Sequence, residues 1–94
     1  LVPIILFGHD VSTNEQTFQI ENIADYEMLV LQAMNNNVTL ATTVIFKNRF
    51  LNYRTHHVYS EFGIIIFEFR TNTSVTIKTN GNNNCWAIIT GIKL

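Results

Sequence analysis

The chain has 94 residues, 47% of them hydrophobic and 14% charged, and six Lys and Arg against seven Asp and Glu leave a formal net charge of −1. That length builds one domain around one core, and that charge offers no positive field to gather a phosphate backbone, so nucleic acid is not an expected partner. No apolar run reaches the roughly 18 residues of a membrane-spanning helix, so no membrane insertion is expected.

Residues 2–7 read as a first strand, with Pro3 tolerated at a strand start or edge where no ladder donor is needed, and Gly8-His9-Asp10 closes it. The opening lacks a signal peptide's basic flank, and the absence of an initiating Met suggests the C-terminal module of a longer chain. Residues 17–21 alternate, with Phe18 and Ile20 facing a core and Thr17, Gln19 and Glu21 facing out. Residues 22–26 suit a loop or one helical turn, and 27–34 form a strand that is apolar on both faces except at Gln32. Asn35-Asn36-Asn37 turns the chain, because asparagine enters left-handed conformations more readily than other residues with a side chain.

In the next strand Val38, Leu40, Val44 and Phe46 share one parity, read as the inner face, with threonines on the other. Residues 47–59 are the least regular stretch, read as a short strand on either side of a bend. Residues 62–70 are the most apolar strand: Ile65, Phe67 and Phe69 share a face, while Ile64 and Ile66 crowd the opposite one. Asn72-Thr73-Ser74 turns into 75–79, with Val75 and Ile77 inward. Asn80-Gly81 signals a hairpin that Asn82 to Asn84 would widen, and residues 85–94 make the last strand. A single cysteine, Cys85, forms no intrachain disulfide and supports no paired-Cys metal site, and its apolar neighbours mark it as a buried, inert thiol.

Asn and Thr supply 23 of the 94 residues, a bias toward strand formers and turn-forming amides. With no helical periodicity between them, seven or eight short antiparallel strands predict an all-β fold: a small β-sandwich of jelly-roll type spanning residues 1–94, with a small β-barrel as the alternative.

Motifs for catalysis are absent: no Gly-rich phosphate loop, nucleophile elbow or HExxH is present, so neither an enzyme nor a cofactor is expected. His56 and His57 are adjacent, and on a strand they would point to opposite faces, so no single-chain metal site is expected. The segment from Tyr53 to Tyr59, carrying Arg54, His56 and His57, mixes aromatic faces with hydrogen-bonding groups in the manner that grips sugars. It is the candidate ligand surface, set against a role of Tyr53 and Tyr59 in merely covering the sandwich end. Trp86, among Cys85, Ala87, Ile88 and Ile89, reads as a core or interchain residue. Met28, Val30, Ile64 and Ile66 exceed what one core can bury and are the candidate oligomer interface, because soluble proteins seldom leave such a patch open.

Two motifs carry a family resemblance: the segment from Asn22 to Tyr26 leading into Glu27-Met28-Leu29-Val30-Leu31, and the ending Ile89-Thr90-Gly91-Ile92-Lys93-Leu94. Together they resemble the C-terminal β-sandwich modules of bacteriophage tail-fibre, head-fibre and receptor-binding proteins, which often close on Gly-Ile-Lys. The resemblance implies a homotrimeric tip on a virion appendage, acting outside the cell and attaching to a host-surface carbohydrate or other envelope component without chemical turnover. It also implies that Tyr26 and Gly91-Ile92-Lys93 are framework positions. The alternatives are a purely structural fibre cap or trimerisation domain, and a glycan depolymerase.

Overall fold

In the computed structural model of the protein, which describes residues 1–61, 63–81 and 85–94, the alternating segments form eight strands. They are β1 (Val2–Val11), β2 (Gln16–Gln19), β3 (Met28–Asn35), β4 (Val38–Phe46), β5 (Thr55–Ser60), β6 (Gly63–Thr71), β7 (Ser74–Gly81) and β8 (Cys85–Lys93). A 3₁₀ turn at Ile23–Asp25 follows β2, and one short helix, α1 (Lys47–Asn52), joins β4 to β5. The strands divide into two antiparallel four-stranded sheets, ordered β1-β8-β3-β4 and β2-β7-β6-β5. Two open sheets packed face to face make the fold a β-sandwich and set aside the barrel. The outermost pairings nest, β1 with β8 in one sheet and β2 with β7 in the other, as in a jelly roll, while β3–β4 and β5–β6–β7 pair locally. The radius of gyration, 12.1 Å, is what about 94 residues around one core require.

Strand parity sets the core. Leu29, Leu31 and Ala33 of β3 and Ala87 and Ile89 of β8 face Val58, Ile65, Phe67, Phe69, Val75 and Ile77 of the second sheet, all essentially inaccessible. The inward residues expected from 65 to 77 are therefore in place, and Cys85 is buried with them, where burial pushes its thiol up from its ordinary value. Phe18 and Ile20 also pack on this core.

Three local expectations are corrected. In β4, Val38, Val44 and Phe46 face solvent and Ile45 is the buried residue. The register slips between Ala33 and Met34, whose partners are Ala41 and Thr39, so Leu40 is an extra residue that reverses parity along the strand. A slip of the same kind between Ile5 and Phe7 in β1 lets both Ile4 and Phe7 reach the interior, and β1 continues through His9, Asp10 and Val11, which pair with Ala87, Trp86 and Cys85. Finally, residues 47–52 are helical. Phe50 is fully buried and Leu51 packs beside it, so α1 plugs the gap between the edge strands of the two sheets. The expected strand start at Phe62 and the widening of the last hairpin by Asn82 to Asn84 lie outside the described residues.

The turns follow from residue type. Asn36 and Asn37 both have positive φ, 50° and 66°, which two-residue hairpins with the twist of the flanking strands require. Asn22 caps the 3₁₀ turn, its Oδ1 accepting from the Ala24 N–H at 2.9 Å.

Candidate functional site

Strand β5 separates the residues of the expected ligand surface. His56 points inward and is buried, and its Nε2 lies 2.8 Å from the Tyr53 carbonyl, so that nitrogen carries a proton. Burial lowers the His56 pKa from its ordinary value; the hydrogen bond to the Tyr53 carbonyl opposes that shift, and the nearby charges of Arg49 and His57 reinforce it. His57 and Tyr59 point outward on the other face, their rings stacked with centroids 5.8 Å apart. Arg54 Nη1 donates to Asn72 Oδ1 at 2.9 Å, and its carbonyl accepts from the Phe69 N–H, which ties it to the β6–β7 turn. Tyr53 is exposed at the end of α1, with the Arg49 guanidinium 5.0 Å from its ring centroid. The five residues thus form no single cluster. Of them, His56, His57 and Tyr59 nevertheless border one open groove of about 510 Å³ between the β4 and β5 edges, shared with Thr43, Val44, Phe46 and Arg49.

The two outer faces differ in chemistry. On the second sheet, Thr17 and Thr76 share a hydrogen bond of 2.8 Å, Arg70 Nε donates to Thr76 Oγ1 at 3.2 Å and pairs with Glu68 at 3.2 Å, and Lys78 pairs with Glu15 at 3.5 Å. Ile64 and Ile66 sit half-buried within that polar surface. Met28 and Val30 lie on the outer face of the first sheet, on the opposite side of the sandwich, so the four residues expected to make one interface belong to two surfaces.

The first sheet's outer face is apolar in successive rows. Register aligns Phe46, Met28, Ile92 and Pro3 in one row, and Val44, Val30, Thr90 and Ile5 in the next. Ile5 is 71% exposed, Phe46 60% and Val44 48%. Beside the first row, Leu94 joins Met28 and Phe46 around an open apolar dish of about 550 Å³. Farther along the strands the composition changes: Thr42, Gln32 and Ile88 form a transitional row, and then Met34, Trp86 and Asp10 align.

Trp86 is 50% exposed, contrary to a core role. Its parity in β8 is that of Ile88, Thr90 and Ile92, whereas Cys85, Ala87 and Ile89 face the core, so alternation within the strand was the signal that could have placed it outside. Among the described residues no group of three His, Cys, Asp or Glu side chains is arranged to hold a metal ion.

Tyr26 and Gly91 pack directly against each other. The buried Tyr26 ring lies so close to Gly91 that a Cβ there would sit 2.5 Å from its Cδ1. Its hydroxyl donates to Glu21 Oε2 at 3.1 Å, and Lys93 Nζ stands 5.2 Å from the ring centroid. Burial, followed by the Glu21 hydrogen bond, raises the Tyr26 pKa from its ordinary value. No protein family, curated protein or solved structure matches this chain. What the geometry defines is a small all-β sandwich with one polar and one largely apolar outer face.

Proposed function

We propose that this protein is a non-enzymatic attachment module that works as a homo-oligomer, with the apolar rows at the Pro3 and Phe46 end of the outer face of the β1-β8-β3-β4 sheet as the contact between copies. One observation carries the reading: the rows containing Phe46, Met28, Ile92, Val44, Val30 and Ile5 leave apolar side chains open across adjacent strands. With an aromatic side chain offering about 150–250 Å² and aliphatic ones somewhat less, the open apolar surface is on the order of 500 Å², at the upper end of what a monomer exposes. It is also most of the roughly 800 Å² per partner that a standard interface needs. Identical copies are the occupant this surface fits, because its apolar rows carry no charge to select a different partner, and the Lys47–Glu27 pair at the rim of the dish is already matched. The resemblance to phage fibre modules supplies the number three, the virion setting and a host-surface glycan as the target. Three weak sites on one trimer raise each other's effective concentration, which suits adhesion.

A purely structural cap is the second reading, favoured by the dispersal of Tyr53, Arg54, His56, His57 and Tyr59 over two faces and a loop. Light scattering of the purified protein at micromolar concentration tests the assembly. A trimer mass is expected, falling to the monomer in an Ile5→Ser, Phe46→Ser variant that keeps the wild-type urea midpoint. A monomeric wild-type protein overturns the reading.

A further inference from the structure

We infer that the pit beside Trp86, at the far end of the apolar sheet face, is the carbohydrate site, and that it takes a neutral pyranose. This inference rests on the attachment reading and moves its ligand from β5 to the β3–β4 hairpin. The pit has a volume of about 670 Å³ and is lined by Trp86, Asp10, Met34 and Asn35 to Asn37, within the range of about 300–1,000 Å³ typical of small-molecule sites.

Its chemistry is that of sugar recognition. The half-exposed indole of Trp86 offers a flat, electron-rich face for the C–H side of a pyranose ring, and Met34 on the adjacent strand extends the apolar floor. Polar groups converge around that floor. Among the described residues none of the Asn35, Asn36 and Asn37 side-chain amides has a hydrogen-bond partner, and each can both donate to and accept from a hydroxyl. The left-handed conformations of Asn36 and Asn37 fix the turn that carries them, so little ordering remains for binding to impose. The Asp10 carboxylate is an acceptor for hydroxyl protons, and His9 Nδ1 lies 2.8 Å from its Oδ1 and 2.7 Å from the Asp10 main-chain carbonyl. Charge sets the class of sugar: Asp10 lines the pit and no Lys or Arg does, so sialic and uronic acids are disfavoured.

The chain has one tryptophan, so its fluorescence reports from this pit alone. Wild-type protein displayed on beads is applied to an array of immobilised neutral and acidic oligosaccharides, and captured neutral sugars are then titrated in solution against the Trp86 emission. Capture of neutral glycans with a saturable emission change is expected. Trp86→Ala or Asp10→Ala should weaken capture by about tenfold, the loss of one stacking or charged hydrogen-bond contact, and Trp86→Phe should restore most of it. Trp86 lies outside the core, so unchanged urea midpoints would show that folding is intact. Capture equal to wild type in Trp86→Ala, or capture of acidic glycans only, overturns the pit as the site while leaving attachment standing. If wild-type beads retain whole envelope fractions but no glycan on the array, the sugar assignment fails and attachment survives. Retention of neither overturns both.

Discussion

Gly91→Ala is expected to destabilise the protein by about 1–2 kcal/mol, although alanine is ordinarily the better residue in a strand. The new Cβ would lie 2.5 Å from Tyr26 Cδ1 and 2.7 Å from Cγ and Cε1. Carbon atoms rest about 3.5–4.0 Å apart, so the ring would have to retreat by about 1 Å. It has little freedom to do so, being buried, tied through its hydroxyl to Glu21 and covered by Lys93. Overpacking of this kind costs about 1–3 kcal/mol, against a gain of about 0.5–1 kcal/mol from replacing an intrastrand glycine. A domain of this size has about 5–14 kcal/mol of stability in all, so the shift is readable as a urea midpoint. The decisive measurement is a double-mutant cycle. Tyr26→Ala alone should cost about 3–5 kcal/mol, as for other large aromatic truncations. In that background Gly91→Ala should become neutral or slightly stabilising, because the obstructing ring is gone. Equal costs for Gly91→Ala in both backgrounds, or no cost with Tyr26 present, would refute the account of Gly91 as the seat of the ring.

Two further outcomes can be checked. His56 has a folded pKa below its unfolded value, so the unfolded chain takes up the proton first as pH falls; stability should be full above about pH 6.5 and decline below it. His56→Gln, which keeps a donor for the Tyr53 carbonyl, should flatten the urea midpoint between about pH 7 and 5 relative to wild type, and an unchanged slope would contradict the burial argument. Cys85, buried with its thiol pKa raised, should react with a thiol reagent at least about a hundredfold more slowly in the native protein than in denaturing urea; comparable rates would place it at the surface.

Much of the architecture was legible because strand patterning is local. The alternation of Phe18 and Ile20, of Ile65, Phe67 and Phe69, and of Val75 and Ile77 identifies inward faces that the sandwich uses. Bulges broke that logic, since one extra residue at Leu40 exchanges the two sides of β4 and turns Val44 and Phe46 into surface. Helix α1 was illegible for a different reason: Phe46 provides no side-chain cap and the segment is only six residues long, so it exists because Phe50 is anchored in the core. The candidate site was least legible. Asp10 and Trp86 are 76 positions apart in sequence and oppose one another only through the β1–β8 pairing, a long-range contact that no spacing rule announces. Tyr53 to Tyr59 are close in sequence, yet the strand turns alternate members to opposite sides.

Because Val2 opposes Lys93, the first and last strands finish at one corner of the sandwich, and the polypeptide is a ring short of a single link. Its pairing pattern is therefore indifferent to where the backbone is interrupted. A permuted chain, closed across that corner by a short linker and opened at Asn36–Asn37, would keep every ladder. Any cargo joined at residue 1 or residue 94 would project from the side with Pro3 and Phe46, about 20 Å of strand away from Trp86.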